Sequence, residues 1–147
     1  MAGDATSSPQ SRHVYALRVY FEDTDAGGIV YYANYLKFAE RARTEWLRAL
    51  GTDHSGLMEN ERVMMTVRRC EADFLAPARL DDALEVHTRV GEVGGASLRL
   101  VQTVRRDGRD LARLRVRLAC VGIDMKPAKL PLRLRRALAP MATGSRG

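Results

Sequence analysis

Residues 19–35 read V-Y-F-E-D-T-D-A-G-G-I-V-Y-Y-A-N-Y. A β-branched and aromatic run, typical of a strand, leads into three carboxylates, Glu22, Asp23 and Asp25. A Gly-Gly pair follows, and an aromatic-rich segment then opens a predicted helix. This order places a carboxylate beside a helix N-terminus, where backbone N–H groups are unpaired and the dipole is positive. A carboxylate next to aimed amide donors suits attack on a carbonyl group and stabilisation of the oxyanion that forms.

After this segment, apolar residues recur every three or four positions and predict one long helix over 32–50. Gly51 is placed to end that helix. The apolar stripe consists of Tyr35, Phe38, Ala39, Ala42, Trp46 and Ala49. Strands are predicted on both sides of the helix, at 14–21, 62–74, 83–93, 96–105 and 111–123, and a short basic helix at 130–138.

The order of these elements predicts an α+β fold, in which an antiparallel sheet of about five strands covers one long helix. Asp107-Gly108 between two strand-like runs is a hairpin signal. We expect a disordered leader at 1–12, a single domain at 13–140 and a disordered tail at 141–147.

The composition is that of a soluble globular protein, with 46% apolar and 29% charged residues among 147. No apolar run approaches the roughly 20 residues that span a bilayer, and the N-terminus lacks the apolar run of a secretory signal. Cys70 and Cys120 lie in apolar strand-like contexts, where buried free thiols are expected. Free thiols favour a reducing, cytoplasmic location.

The net charge of +6 is concentrated in the second part of the chain. Residues 1–98 carry 11 basic and 15 acidic side chains, whereas residues 99–147 carry 13 basic and 3 acidic ones. A basic segment of this kind indicates either an anionic partner or a set of solvated arginines on strand faces.

Several chemistries find no support in the sequence. No serine lies in a G-x-S-x-G motif, and the glycine pairs lack a nucleotide-binding pattern. The histidines His13, His54 and His87 are far apart and form no ligand cluster, so no metal site is expected. What remains is a carboxylate that works with backbone amides.

The run E-D-T-D-A-G-G-I-V-Y-Y-A-N-Y-L-K-F-A-E-R-A-R-T-E-W-L, residues 22–47, closely resembles the hotdog-fold acyl-CoA thioesterases. More narrowly, it is similar to the Tol-Pal-associated group of the 4-hydroxybenzoyl-CoA thioesterase family. The likeness continues through Ala76-Pro77-Ala78-Arg79-Leu80-Asp81-Asp82 and Met125-Lys126-Pro127. The resemblance implies a hotdog fold and protomers that form dimers and often homotetramers.

The resemblance also implies the residues of the active site. It places the catalytic carboxylate at Asp25 and the amide that polarises the thioester carbonyl at Tyr32. Many members of the group have His at the position of Tyr32, and an amide donor survives that replacement whereas a side-chain role does not. Further substrate contacts are expected at Gly28, Val30, Tyr31 and Asn34, and at the basic residues Lys126 and Lys129.

The predicted reaction is hydrolysis of an acyl thioester to a free acid and a thiol, with no cofactor apart from the coenzyme A of the substrate. An acyl carrier protein is the second possible carrier. Two alternatives stay open: another hotdog enzyme, such as a dehydratase or hydratase, and a non-catalytic thioester-binding subunit of a lipid or envelope assembly. A nucleic-acid-binding module is disfavoured, because seven of the nine aromatic residues fall in the acidic part of the chain, from Tyr20 to Trp46.

Overall fold

The computed structural model describes residues 12–143. Five strands and two helices form the fold. They are β1 (Arg12–Arg18), α1 (Asn34–Ala49), β2 (Val63–Phe74), β3 (Ala83–Val93), β4 (Ser97–Arg106), β5 (Arg109–Gly122) and α2 (Leu132–Leu138). Short helical turns occur at Phe21–Asp23, His54–Gly56, Leu57–Glu61 and Ala139–Met141.

The strands form one antiparallel sheet in the order β1-β3-β4-β5-β2. Asp107 and Gly108 join β4 to β5 with φ angles of 51° and 80°, the positive values that a two-residue hairpin needs. The predicted hairpin is therefore confirmed. Strand β2 lies at one edge and pairs only with β5 among residues 12–143.

Helix α1 packs against the sheet and has 16 residues, about 24 Å. It is shorter than the predicted span 32–50, because the chain approaches it through a tighter turn. The Asn34 N–H donates to the Tyr31 oxygen and the Tyr35 N–H to the Tyr32 oxygen. At the other end Gly51 takes a φ of +91° and ends the helix as predicted. One helix on five antiparallel strands confirms the α+β prediction.

The predicted apolar stripe of α1 forms most of its buried face. Tyr35, Phe38, Ala39, Ala42 and Trp46 are each 5% exposed or less. Ala49 is exposed, contrary to the prediction, and Leu47 is buried in its place. The buried face thus turns slightly around the helix axis in its last turn.

A buried glutamine joins α1 to the sheet. Gln102 of β4 is fully buried, and its side-chain N–H groups donate to the Ala39 oxygen and to Thr88 Oγ1, both at 3.0 Å. Its oxygen accepts a 3.0 Å hydrogen bond from Arg43. Burial lowers the pKa of the Arg43 guanidinium. Arg43 lies outside the predicted apolar stripe, and no pattern in the sequence indicated this network.

The two thiols are free and differ in burial. Cys120 is buried, as expected, whereas Cys70 is exposed because it lies on the outer part of edge strand β2. Burial raises the pKa of both thiols.

Most of the predicted leader and tail lies outside the described residues. Strand β1 begins at Arg12, and residues 1–11 and 144–147 lie outside the described range. Within the predicted tail, the Thr143 N–H donates to the Gly91 oxygen at 3.1 Å. No helix in the described range combines the length and apolar character needed to cross a bilayer.

Candidate active site

The segment between β1 and α1 folds into a tight loop that a bridge between Thr24 and Val30 closes. The Asp25 N–H donates to the Ile29 oxygen at 2.9 Å, and the Gly28 N–H donates to the Asp25 oxygen at 3.0 Å. Gly28 has a φ of +79°, in the left-handed region that favours glycine. The loop therefore depends on glycine at this position and presents Asp25 at its tip.

The three carboxylates of the loop have different environments. Asp23 is 7% exposed, and its Oδ2 accepts the Tyr20 N–H at 2.8 Å, which closes the turn at Phe21–Asp23. Asp25 is exposed, and its Oδ1 accepts the Gly27 N–H at 2.8 Å. No group among residues 12–143 donates to the second Asp25 oxygen. Asp25 is thus held at one oxygen and free at the other, whereas Asp23 is structural.

The start of α1 leaves backbone donors free. The Tyr31 N–H donates to the Asp23 oxygen at 3.1 Å, and the Asn34 N–H to the Tyr31 oxygen at 2.8 Å. Between them, the N–H groups of Tyr32 and Ala33 find no acceptor within the described part of the chain. These are the unpaired donors expected at a helix N-terminus, and they include the Tyr32 amide predicted from the sequence.

Asn34 holds the helix start against the loop. Its side-chain N–H donates to the Asp23 oxygen at 2.8 Å, the same oxygen that accepts the Tyr31 N–H. Asn34, predicted to contact substrate, therefore uses its side-chain nitrogen for a hydrogen bond between loop and helix. The sequence prediction did not anticipate this contact.

The segment that precedes β3 is hydrogen-bonded to the loop and to α1. The Val30 N–H donates to the Ala78 oxygen at 2.8 Å, and the Ala78 N–H donates to the Tyr35 hydroxyl at 2.9 Å. Val30, another predicted substrate contact, has its side chain 3% exposed in the hydrophobic core. Its side chain anchors the loop to the core.

An ion pair stabilises the supporting segment. Asp82 accepts the Arg79 N–H at 2.8 Å and an Arg106 guanidinium N–H at 2.6 Å. Burial acts to raise the pKa of Asp82, but these two hydrogen bonds and the arginine charges outweigh it, so the pKa lies below its ordinary value. The segment 76–82 is thus fixed at both ends.

Aromatic rings surround the helix start. Tyr31 and Tyr32 are about half exposed, and their ring centroids are 4.8 Å apart. The hydrogen bond with Tyr32 raises the pKa of Tyr31. Phe74, at the end of β2, lies 5.7 Å from the Tyr32 ring and 5.6 Å from the Tyr35 ring. Only the fold brings Phe74 here, so sequence reasoning missed it.

Lys126 and Lys129 lie far from this site within one chain. Lys126 accepts the Gly122 N–H through its backbone oxygen, and Gly122 pairs with Val63 at the beginning of β2. The aromatic cluster lies at Phe74, eleven residues away, which is about 36 Å along an extended strand. Within one protomer these lysines therefore lie far from Asp25, and their predicted contact with substrate stays a prediction.

The described residues contain no cluster of three or more His, Cys, Asp or Glu placed to hold a metal ion. The site thus combines the exposed Asp25 carboxylate, two free amides and an aromatic wall. This set can activate water or attack a carbonyl carbon, and can accept the resulting negative charge.

Comparison with known proteins supports the same chemistry. The profile of the thioesterase-like superfamily matches residues 19–138. The chain is 43% identical over 124 residues to a Haemophilus influenzae protein named acyl-CoA thioesterase YbgC, covering 84% of this chain and 91% of the relative. It is 46% identical over 117 residues to the Escherichia coli O6:H1 protein named acyl-CoA thioester hydrolase YbgC, covering 78% and 87%.

The fold is shared with solved thioesterase structures. A Bartonella henselae protein titled "Probable Thioesterase" superposes with a TM-score of 0.80 at 34% identity, covering 82% of this chain and all of the other. The hotdog architecture expected from the sequence is therefore confirmed, with the shorter helix described above.

Proposed function

The chain belongs to the thioesterase-like superfamily, and we propose that it is an acyl-CoA thioesterase in which Asp25 and the free amides at the start of α1 carry out the chemistry. The observation that supports these roles is that one oxygen of the Asp25 carboxylate and the N–H groups of Tyr32 and Ala33, all in the segment between β1 and α1, make no hydrogen bond among residues 12–143.

The amides would bind the thioester carbonyl oxygen. As the carbon becomes tetrahedral, negative charge grows on that oxygen, and preorganised N–H donors stabilise it. The dipole of α1 adds positive potential at the same place. Because the donors are backbone groups, this role does not require a particular side chain at position 32.

Asp25 would act in one of two ways. As a general base it would deprotonate a water that attacks the carbonyl carbon, and the thiolate would leave with a proton. As a nucleophile it would attack the carbon itself, form a mixed anhydride and expel the thiolate. Water would then attack the Asp25 carbonyl carbon of the anhydride, which releases the product acid and puts one oxygen of the water into Asp25. A single turnover in ¹⁸O-water separates the two, because only the nucleophilic route leaves label in the Asp25 carboxylate.

The residue assignment is tested with Asp25→Asn and with Glu22→Gln as the matched control. Both remove one exposed carboxylate from the same loop. We expect Asp25→Asn to lower kcat by at least roughly 10²-fold, with an unchanged circular dichroism spectrum, and Glu22→Gln to keep most of the activity. Free-thiol release from short, long and aromatic acyl-CoA substrates provides the assay. Full activity in Asp25→Asn would exclude the assignment, and absence of activity in the wild type would favour a non-catalytic binding subunit.

We further propose that the active unit is a homo-oligomer, a dimer or tetramer, with two protomers joined along β2. The outer edge of this strand has no neighbour among residues 12–143. Antiparallel pairing of two β2 strands would bring the Lys126 end of one protomer towards the Tyr32 and Phe74 end of the other. Lys126 and Lys129 would then approach the phosphates of coenzyme A from the second protomer.

Arg68→Pro tests this arrangement. Arg68 lies at the irregularity of β2 and has no paired residue in β5, so proline there alters the edge strand outside the regular ladder. Light scattering should show a smaller species with retained secondary structure and reduced activity. An unchanged mass would exclude β2 as the interface.

We propose a cytoplasmic location, supported by the two free thiols, and no cofactor beyond the coenzyme A of the substrate. Subcellular fractionation tests the location. The functional setting implied by the sequence resemblance, the Tol-Pal envelope system, stays a prediction, which co-purification with the envelope components would test.

A further inference from the structure

The sheet face opposite α1 carries a row of arginines that the proposed reaction does not use. Arg69 of β2 pairs with Arg117 of β5, and Arg117 pairs with Arg99 of β4. In β5, buried Val116 and Leu118 alternate with exposed Arg115 and Arg117, so the arginines point away from the core. Three guanidinium groups therefore follow one another across three adjacent strands.

The next row continues the positive strip. Arg115 lies between Glu71 of β2 and Val101 of β4, and Val101 pairs with Arg89 of β3. Arg89 in turn pairs with Arg12 of β1. Neighbouring strands are about 4.8 Å apart, so the strip crosses the whole sheet, about 19 Å.

This arrangement opposes folding unless an anion compensates it. Like charges directly opposite each other on a sheet are destabilising. Arg69 and Arg99 have only long contacts of 3.5 Å, to Glu71 and Glu92, and these pairs are well exposed. The side chains of Arg115 and Arg117 make no ion pair or hydrogen bond with any residue from 12 to 143.

The same arginines line a groove. Arg69, Arg99, Arg115 and Arg117 line an open depression of about 450 Å³ together with one carboxylate, Glu71. The surface is thus concave and strongly basic. No aromatic ring lines it, whereas single-stranded nucleic acid is bound with stacking platforms.

The spacing of the arginines fits an acidic helix. Carboxylates three or four residues apart on a helix are separated by about 5–6 Å, close to the spacing of neighbouring strands. A helix laid across the strands would place one carboxylate over each arginine of the row. Each arginine can bind a carboxylate through two parallel hydrogen bonds.

We propose that this arginine groove docks an acidic helix of an acyl carrier protein, which delivers the acyl thioester to the enzyme. The inference rests on the proposed thioesterase function and adds a carrier protein to coenzyme A as a second carrier of the acyl group. Strand β2 connects the two places, because Arg69 and Glu71 line the groove and Phe74 of the same strand contacts Tyr32. A second copy of this chain is a poor occupant, because a symmetric contact through the groove would oppose like charges.

The test compares Arg115→Gln/Arg117→Gln with the control Arg109→Gln, an exposed arginine of the β4–β5 hairpin outside the groove. Calorimetry with purified holo-acyl carrier protein measures binding directly and needs no turnover. We expect roughly tenfold or weaker affinity in the double variant, unchanged affinity in the control, and wild-type binding that falls as salt rises. The melting temperature should not fall in the double variant, because the change relieves repulsion with Arg69 and Arg99.

Kinetics separate the inference from the proposed function. Acyl thioesters of N-acetylcysteamine carry no phosphate, so the wild type, the double variant and the Arg109→Gln control should hydrolyse them equally. If none of the three proteins hydrolyses these substrates, the proposed thioesterase function is refuted rather than the docking inference. The inference is refuted if the carrier protein does not bind the wild type or binds the double variant equally well. It is also refuted if the double variant loses activity only with acyl-CoA substrates. Binding of duplex DNA or phosphatidylglycerol vesicles to the groove, without binding of the carrier protein, would refute it as well.

Discussion

The side-chain amide of Asn34 donates to the backbone oxygen of Asp23 at 2.8 Å, across eleven residues of chain. This hydrogen bond joins the first residue of α1 to the last residue of the turn that precedes the loop of Asp25. Because the same oxygen accepts the Tyr31 N–H, one carbonyl group fixes the loop relative to the helix start. The position of the carboxylate relative to the free amides therefore depends on a contact that touches no substrate.

We expect Asn34→Ala to lower kcat about tenfold, because a small displacement of the reacting groups is costly, and to lower the free energy of unfolding by about 1 kcal/mol. Steady-state kinetics and urea denaturation measure the two effects. Lys37→Ala, at an exposed position of the same helix, is the control. Unchanged kcat in Asn34→Ala would show that the loop does not need this contact.

A pair of substitutions at Tyr32 separates its amide from its side chain. Tyr32→Pro removes the N–H, which makes no hydrogen bond within residues 12–143, and should lower kcat by roughly 10²-fold or more. Tyr32→Phe keeps the amide and should keep most of kcat. The reverse result, an active proline variant and an inactive phenylalanine variant, would move the role to the hydroxyl group. Circular dichroism checks that both variants fold.

Gly28→Ala should destabilise the protein by about 1 kcal/mol, since alanine is disfavoured at the φ of +79°. An added Cβ would meet no atom within 4 Å, so strain in the backbone is the whole cost. Gly28→Asn should cost less, because asparagine enters the left-handed region more readily. Urea denaturation compares the three proteins, and equal stability of wild type and alanine variant would contradict this account.

The ion pair of Asp82 and Arg106 should give stability that depends on pH. The pKa of Asp82 in the folded protein is below its ordinary value of 3.8, so its contribution is present above pH 4 and is lost as pH falls through the lowered pKa. Asp82→Asn should therefore cost about 2 kcal/mol at pH 7, and this cost should decrease as pH falls below 4. Melting curves of both proteins between pH 7 and pH 3 measure this. A difference in melting temperature that does not shrink at low pH would contradict the prediction.

Local patterns predicted most of the fold. The helical spacing of Tyr35, Phe38 and Trp46 placed α1, and the turn residues Asp107 and Gly108 placed the β4–β5 hairpin. The predicted start of α1 lies two residues before the observed start at Asn34, because Tyr32 and Ala33 continue the helical pattern but form a tighter turn. Periodicity alone does not distinguish these two conformations.

The site was predictable only in part. The Asp25 loop is contiguous in sequence, so its carboxylate and the helix amides could be placed together. Phe74 and Ala78 reach the loop through the fold of the sheet, and the buried roles of Asp23 and Val30 depend on contacts that no local pattern encodes. The separation of Lys126 from Asp25 likewise follows from the direction of β2 and β5.

The free edge of β2 also has a consequence for how the protein behaves at low concentration. Strand β2 has 12 residues and no outer neighbour among residues 12–143, so it offers its backbone groups to any extended segment, including one from an unfolded chain. Variants that keep the fold but weaken self-association should therefore aggregate before they lose secondary structure. Arg68→Pro should be an exception, because proline obstructs both the pairing of two β2 strands and the pairing of β2 with a segment of an unfolded chain.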